Sequence, residues 1–272
     1  MKSIKKVIKW IFYVLLVAIF FIPFYWMILT SVKTVGETLQ FPPTFWVSDM
    51  QWVNFKTAFE KVPILKYTIN SIIVTTGIIL CQLITVVPAA YAFARYNFKG
   101  KNILFTLAMI TMMIPGQLIF LPLFLMFSKF SLINSYWSLI LPSATSAFGI
   151  FMLRQTFMQV PEELIEAARL DMASEFKIIY KVMLPIAKPT MVTLVLLAFI
   201  GSWNDYFWPL VMTTNDTVRT LAVGIVSLSK VESGVIYHIL MAGNVMLIAP
   251  IFVVYAIAQK QMIKAFTYTG EK

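Results

Sequence analysis

Two residue types that build reactive sites are almost absent from this sequence, which has one cysteine and one histidine among 272 residues. Cys81 lies inside an apolar run, so a disulfide framework and a cysteine-ligated metal site are both excluded. His238 stands at the edge of another apolar run, where a lone histidine is usually structural. A membrane-embedded enzyme would need several His, Cys, Asp or Glu residues at one depth, and no such cluster is visible.

Charge is also scarce, because only 12% of the residues are charged while 60% are hydrophobic. A soluble domain carries roughly 25% charged residues, so much of this apolar surface must face a lipid bilayer. Spanning backbone must satisfy its own hydrogen bonds, which leaves helices or closed barrels. The apolar runs are continuous rather than alternating, so the sequence predicts an all-α integral membrane protein.

The apolar runs predict a single transmembrane domain over residues 1–272, since about 20 apolar residues are needed for each span. The predicted transmembrane helices are residues 10–30, 67–94, 103–127, 131–153, 190–212 and 239–258. Residues 154–189 form the longest of the segments predicted to lie on the same side as the N-terminus.

Basic residues give the predicted direction of these spans. With the N-terminus inside, 15 of the 22 Lys and Arg residues lie on the inner side. Positive charge is retained on the cytoplasmic side of membranes, so both termini are predicted to be cytoplasmic in a multi-pass protein of the plasma (inner) membrane. This distribution also accounts for the net charge of +10 without a nucleic-acid partner.

The loop 154–189 has the pattern of two short amphipathic helices. Pro161 and the acidic residues after it are typical of a helix start, and Ser174 is a good N-cap for a second helix. Helical spacing places Phe176, Ile179 and Met183 on one face of that second helix. The physics alone leaves two readings open: an interfacial hairpin, or a docking element for a cytoplasmic partner.

The loop carries a recognisable motif. Glu166-Ala167-Ala168 is followed by Asp171-Met172-Ala173, then by Leu184-Pro185 and Pro189. This resembles the coupling loop of ABC importer permeases, whose pattern is E-A-A, two residues, D-G-A, and after a spacer L-P-x-x-x-P. Nearly the whole chain resembles the smaller permease subunit of carbohydrate importers of the maltose and glycerol-phosphate type. Met172 departs from the pattern, because it stands where the family has glycine.

The resemblance implies transport rather than enzymatic activity by this chain. It implies a cytoplasmic ABC ATPase dimer that binds ATP and Mg, a second and different permease subunit, and an extracytoplasmic solute-binding protein. No cofactor is expected on this chain. The residues expected to couple to the ATPase are Glu163, Glu166, Ala167, Ala168, Asp171, Met172 and Ala173. A left-handed backbone at Met172 would be strained, so either the turn keeps ordinary helical angles or the partner accommodates the larger side chain.

The expected solute is a sugar or a related polar molecule. Asp205 is the only acid well inside a predicted span, and such a charge is a candidate for function by default. Trp203 and Asn204 beside it, with Ser143 and Ser146 in the fourth span, could line the solute path. Alternatively, Asn204 and Asp205 hold helices together while the tryptophan lies in an interfacial belt.

The main alternative function is an ion-driven secondary transporter or channel. It would predict paired ionisable residues within the spans and inverted internal repeats. Asp205 stands alone in this respect, and the sequence shows no such repeat. A membrane scaffold or anchor is compatible with the six spans but does not explain the loop motif.

Overall fold

The computed structural model describes residues 2–229 and 236–267, with side chains described for residues 5–229 and 236–260. Two basic residues counted above, Lys230 and Lys272, lie outside the described residues. Every regular element within those ranges is helical. The chain divides into two compact units, residues 1–65 with 222–250, and residues 66–221 with 251–272.

The helices are α1 (Lys2–Ser31), α2 (Val35–Leu39), α3 (Val53–Lys61), α4 (Ile64–Arg95), α5 (Lys101–Thr111), α6 (Phe120–Lys129), α7 (Tyr136–Ile140), α8 (Ala147–Met158), α9 (Glu162–Leu170), α10 (Glu175–Lys177), α11 (Leu184–Ile186), α12 (Lys188–Trp203), α13 (Phe207–Met212), α14 (Leu221–Ser227) and α15 (Tyr237–Thr267). Short 3-10 turns occur at Gly116–Leu118 and Leu141–Ser143, and a π-helical turn at Ile178–Met183.

Three helices within the described residues are long and apolar enough to cross a membrane: Lys5–Ser31, Ile64–Arg95 and Tyr237–Lys260. Lys5–Ser31 is exposed along its apolar length, as expected for a helix that faces lipid, whereas the other two helices also have buried residues that pack inside the protein. Pro88 and Pro250 lie inside continuous helices, so neither proline interrupts its span.

The other predicted spans are broken. Residues 103–127 become the short helices α5 and α6, separated at Pro115 and Gly116, where proline cannot donate a backbone hydrogen bond. The predicted fourth span starts later than residue 131, at Tyr136, and bends by 43° between Ser143 and Ala147. Counting each bent pair as one span gives up to five candidates among the described residues, so the count of six stays a prediction.

The predicted fifth span, 190–212, is also divided. Helix α12 ends at Trp203, and α13 starts only at Phe207. At the other end of α12, an 86° bend separates it from the stretch Glu175–Ile186. This bend lies where the sequence predicts that the loop ends and the fifth span begins.

The larger unit has two apolar cores. One joins α4, α8 and the loop helices, with fully buried Leu153, Phe157, Ile165 and Ile178. The other includes Val74, Phe127, Ile140 and Met212, from α4, α6, α7 and α13. The loop helices therefore share a core with α4 instead of standing alone.

In the smaller unit, residues 31–54 are held by buried polar contacts. Asn54 donates its amide to the backbone oxygens of Ser31 and Lys33, at 3.0 and 2.9 Å. The Lys33 ammonium is buried, donates to Thr44 O at 2.6 Å and lies 4.7 Å from the Trp26 ring centroid. These contacts satisfy a buried charge that would otherwise be costly.

Candidate functional site

Helix α9 starts after Pro161 and has acidic residues in its first turn and Arg169 in its last turn. Acids near the N-terminus and a base near the C-terminus complement the helix dipole, so these charges stabilise α9. The helix has two unlike faces. Ile165 is fully buried in the shared core, whereas Glu163 and Glu166 are exposed.

The predicted coupling residues follow this division into two faces. Ala168 and Ala173 are half-buried and pack against the core of α4 and α8. The exposed members are Glu163, Glu166, Ala167, Asp171 and Met172. The two alanines thus allow close approach to the core, while the charged residues remain accessible.

The end of α9 shows the backbone conformation at Met172, the position where the resembled motif has glycine. Ala173 N donates to Ala168 O and Met172 N to Arg169 O, both at 3.0 Å. This pair of bonds is a Schellman motif, whose central residue adopts a left-handed conformation. Met172 has φ of 56°, so the backbone here does not keep ordinary helical angles. A non-glycine residue in this region is strained by about 1 kcal/mol.

Large apolar side chains point outward around this turn. Leu170, Met172 and Phe176 are 85%, 93% and 70% exposed. These three side chains lie within seven residues of chain, and Leu170 and Met172 lie outside the helices counted as candidate spans. Exposed apolar groups at this density indicate a candidate contact surface for another molecule.

The second loop helix begins as the sequence predicts, with Ser174 Oγ accepting from Lys177 N. The three residues predicted to share one face of this helix do not all share one, however. Ile179 and Met183 are buried, but Phe176 is exposed and lies against the Tyr180 ring at 4.4 Å between centroids. The π-helical turn Ile178–Met183 causes this difference, because its wider hydrogen-bonding pattern changes the side-chain spacing that ordinary helical periodicity assumes.

A carboxylate joins the loop to the end of α4. Glu175 Oε2 accepts from the hydroxyls of Tyr91 and Tyr96 at 2.8 and 3.0 Å, and its Oε1 accepts from Arg169 Nε at 3.0 Å. Partial burial alone would raise the pKa of Glu175, but the hydrogen bonds from Tyr91, Arg169 and Tyr96 and the charge of Arg169 lower that pKa below its ordinary value. The ionised carboxylate is therefore the stable form at neutral pH.

A second attachment is made by Arg95, the last residue of α4. Its guanidinium donates to Glu162 Oε2 and to Phe157 O, both at 2.6 Å, and also to Val160 O. The Arg95 side chain is only 10% exposed. It satisfies carbonyls at the end of α8 and an acid at the start of α9, so it joins three helices at one point.

The predicted solute residues lie in a different part of the larger unit. A pocket of about 240 Å³ is lined by Gly116, Gln117, Ile119, Leu123, Pro142, Ser143, Asp205, Phe207 and Trp208. The breaks of the predicted third and fifth spans, and the turn that precedes the break of the fourth, meet there. Asp205 Oδ1 accepts from Trp208 N at 3.2 Å, which caps α13. Trp208 in turn donates its indole N–H to Ser138 O at 2.9 Å.

The other solute candidates are placed elsewhere. Trp203 is 2% exposed and stacks on Phe199, with ring centroids 5.5 Å apart, so its ring packs inside the protein. Asn204 donates its amide to Ile200 O at 3.0 Å and closes the end of α12. Ser146 Oγ caps α8 by accepting from Gly149 N, and lines a separate cavity of about 180 Å³ with Gln82 and Met191. The structure therefore brings Asp205 and Ser143 together but not the other three.

Sequence reasoning did not single out Glu175, Arg95 or Gln117. The partners of Glu175 on α4 and directly after it are 84 and 79 residues away along the chain, and no local pattern reports such a contact. Gln117 had a usable signal, since a polar side chain directly after Pro115-Gly116 in an apolar run indicates a break that faces a cavity.

Comparison with known proteins identifies relatives along nearly the whole chain. The chain is 34% identical over 244 residues to the arabinooligosaccharides transport system permease protein AraQ of Halalkalibacterium halodurans, covering 89% of this chain and 86% of the relative. It is 30% identical to the AraQ protein of Bacillus subtilis, covering 99% of this chain and 97% of the relative. It is 28% identical to the diacetylchitobiose uptake system permease protein NgcG of Streptomyces coelicolor, over 89% and 80%.

The fold is shared with a solved structure. A bacterial ABC transporter involved in the import of the acidic polysaccharide alginate superimposes with a TM-score of 0.82 at 24% identity, covering 96% of this chain and 97% of that one. Residues 86–267 match the family described as the binding-protein-dependent transport system inner membrane component. That range contains the end of α4, the whole loop and all three breaks around the pocket. The chain belongs to this family and is a membrane permease subunit of a binding-protein-dependent ABC importer.

Proposed function

We propose that this permease is driven by a separate cytoplasmic ABC ATPase dimer, which binds ATP and Mg and docks on α9. The observation that carries this proposal is the two-faced loop: Ile165 is fully buried, while Leu170 and Met172 are almost completely exposed. Closure of the dimer moves α9, and α9 moves the helices that share its core. Solute then enters from outside and leaves inward when the dimer reopens.

The predicted coupling residues take different parts in this docking. Glu163, Glu166 and Asp171 offer exposed charges that orient the ATPase surface, and Met172 offers an apolar contact. Ala167 is exposed and small, which lets the partner backbone approach closely. Ala168 and Ala173 act from the inner face, where they seat α9 on its core.

The transported solute is proposed to be an oligosaccharide or a related polar sugar. Relatives over most of the chain are described by names that specify arabinooligosaccharide or diacetylchitobiose transport. An extracytoplasmic binding protein delivers the sugar, and the second permease subunit is a different chain, so the membrane part is a heterodimer. Both termini are cytoplasmic, as the distribution of Lys and Arg favours.

Within the membrane part, Asp205 and Ser143 are proposed to contact the sugar. Their pocket also contains Gln117 and Trp208, and the combination of carboxylate, hydroxyl, amide and aromatic ring suits a polyol. Trp203 and Asn204 support this region by packing and by capping α12. Ser146 is proposed to line the solute path through the separate cavity, which lies beyond the break in the predicted fourth span.

The first experiment is a pull-down of the tagged chain from its native membrane in mild detergent, with mass spectrometry of stoichiometric partners. We expect an ATPase and one different multi-pass permease. A clean preparation of this chain alone, with the same result in several detergents, would contradict the proposal and favour a self-sufficient transporter.

Coupling is tested in proteoliposomes that contain the complete importer and its binding protein. Glu166→Ala and Asp171→Ala are expected to lower solute import more than ATP hydrolysis, while the protein still assembles. Glu60→Ala serves as the matched control, because it also removes an exposed acid but lies far from the loop in sequence. Normal import in both loop variants would remove the docking role from these acids.

A further inference from the structure

The coupling loop (residues 154–189) lies between α8 and α12 in the sequence. Several of its side-chain hydrogen bonds are nevertheless made with residues at the end of α4. Tyr91 and Tyr96 at the end of α4 both donate to the Glu175 carboxylate, and Arg169 at the end of α9 donates to its other oxygen. A single side chain thus joins the end of α9, the start of α10 and the end of α4. The Tyr91 ring is itself buried, so the α4 side of this junction is fixed by packing.

We propose that Glu175 is a positioning residue that couples displacement of α9 to α4 during transport. The inference rests on the proposed function, in which an ATPase moves α9. It goes further by naming the side chain that directs that movement into the second long helix.

Geometry supports a directional role for this carboxylate. Apolar contacts around Ile165 already hold α9 against the core, but such contacts have no preferred orientation and allow sliding. Hydrogen bonds to an ionised acceptor are shorter, stronger and angle-dependent. Tyr91 of α4, Tyr96 directly after α4 and Arg169 of α9 hold the carboxylate at both oxygens, so a shift of α9 relative to α4 strains these hydrogen bonds.

The end of α9 that bears Arg169 is also the end that carries the strained turn at Met172. Arg169 therefore links the turn to the carboxylate: its backbone O accepts from Met172 N, while its side chain donates to Glu175. Force applied by a partner at the exposed Met172 passes through one residue before it reaches the Glu175 junction. Arg95 and Glu162 make a comparable tie at the opposite end of α9.

The direct test compares Glu175→Gln with wild type in proteoliposomes holding the complete importer, with an arabinooligosaccharide as the probe solute. The amide keeps the shape of the side chain but loses the charge that Arg169 and the tyrosines recognise. We expect solute imported per ATP hydrolysed to fall about three- to tenfold, the range for loss of a partly exposed charge-assisted hydrogen bond. A merely structural role would lower import and hydrolysis together and leave their ratio unchanged, which would overturn the proposal.

The control is Lys177→Gln, an exposed residue of the same short helix whose side chain makes no hydrogen bond or ion pair within the described residues. It should leave the ratio at the wild-type value. Import by the wild type is the separate check of the proposed function. If wild type does not import the probe, the proposed solute or function fails; if it imports normally and Glu175→Gln does too, only the positioning role fails.

A covalent tie gives the second test, in a Cys81→Ala background that removes the single native cysteine. Tyr96→Cys combined with Glu175→Cys is expected to lose coupling like Glu175→Gln. A short bifunctional thiol reagent should then restore the import-to-hydrolysis ratio, because the cross-link replaces the lost hydrogen bonds. Each single cysteine variant treated with the same reagent is the control. Cross-linking that stops import would show that α4 and the loop must separate, which is the opposite of the proposal.

Discussion

The two functional regions of the larger unit are built in opposite ways. Around the loop, polar side chains pair with one another and with backbone oxygens, as Arg95 does with Glu162 and Phe157 O. Around the pocket, three predicted spans are broken, and the side chains of Gln117 and Ser143 make no hydrogen bond within the described residues.

This contrast follows from what each region has to do. Transmission of force requires satisfied, angle-dependent contacts that keep two helices in register. Passage of a polar solute requires groups that exchange water for the hydroxyls of the solute, and backbone that bends where it lines a cavity. The loop should therefore respond to mutation mainly in stability and coupling, and the pocket mainly in the apparent affinity for solute.

The largest effect is expected when the loop loses Arg95. In Arg95→Ala the carbonyls of Phe157 and Val160 lose a donor that is only 10% exposed, and the half-exposed Glu162 carboxylate loses its ion-pair partner. The free energy of unfolding should fall by about 2–3 kcal/mol, the cost of unsatisfied buried groups. Thermal unfolding of the purified complex in detergent measures this loss. Lys99→Ala, an exposed charge four residues on, is the control and should leave the melting temperature unchanged.

A packing change between α4 and α7 should lower the free energy of unfolding by less. A Cβ atom at Gly77 on α4 would lie 2.6 Å from Ile140 Cδ1 on α7, so a larger side chain must displace the buried Ile140 side chain or the helix that carries it. For Gly77→Leu we expect about 1–3 kcal/mol of destabilisation from overpacking. Gly201→Leu is the matched control, since a Cβ there meets nothing within 4 Å. Equal melting temperatures for the two leucine variants would contradict the close packing of α4 on α7.

The turn at Met172 should give an effect of opposite sign. Met172→Gly removes the strain of a left-handed non-glycine residue, so the loop should become more stable by about 1 kcal/mol. The same change removes an almost completely exposed apolar side chain, and binding of the ATPase should weaken. Melting temperature and ATPase affinity, measured on the same preparation, separate the two effects. Met172→Ala keeps the strain but not the contact, so it should weaken binding without stabilising the loop.

The sequence predicted those parts of the structure that depend on short stretches of chain. The long helices follow from continuous apolar runs, and the cap at Ser174 and the acidic start of α9 follow from local electrostatics. The position of the strained turn was also visible, because Met172 stands where glycine is expected. Only the structure shows that the backbone there is left-handed.

What the sequence left out depends on contacts between distant residues or on irregular backbone. The junction at Glu175 joins residues about 80 positions apart, and Trp203 is buried by tertiary packing although it stands beside polar residues. The exposed position of Phe176 follows from a π-helical turn, which periodicity analysis treats as ordinary helix.

The smallest effect is expected at Asp205, where cap and pocket share one side chain. Asp205→Asn keeps an oxygen that can accept from Trp208 N, so α13 should remain capped and the melting temperature unchanged. The change removes the charge facing the pocket, and the half-saturating solute concentration should rise about two- to fivefold, the equivalent of roughly 0.5–1 kcal/mol for one hydrogen bond. Solute imported per ATP should stay at the wild-type value, unlike in Glu175→Gln. Asp205→Ala loses the cap as well and should also lower the melting temperature. If Asp205→Asn lowers the import-to-hydrolysis ratio with no change in half-saturation, the pocket and the loop do not have the separate roles that their construction indicates.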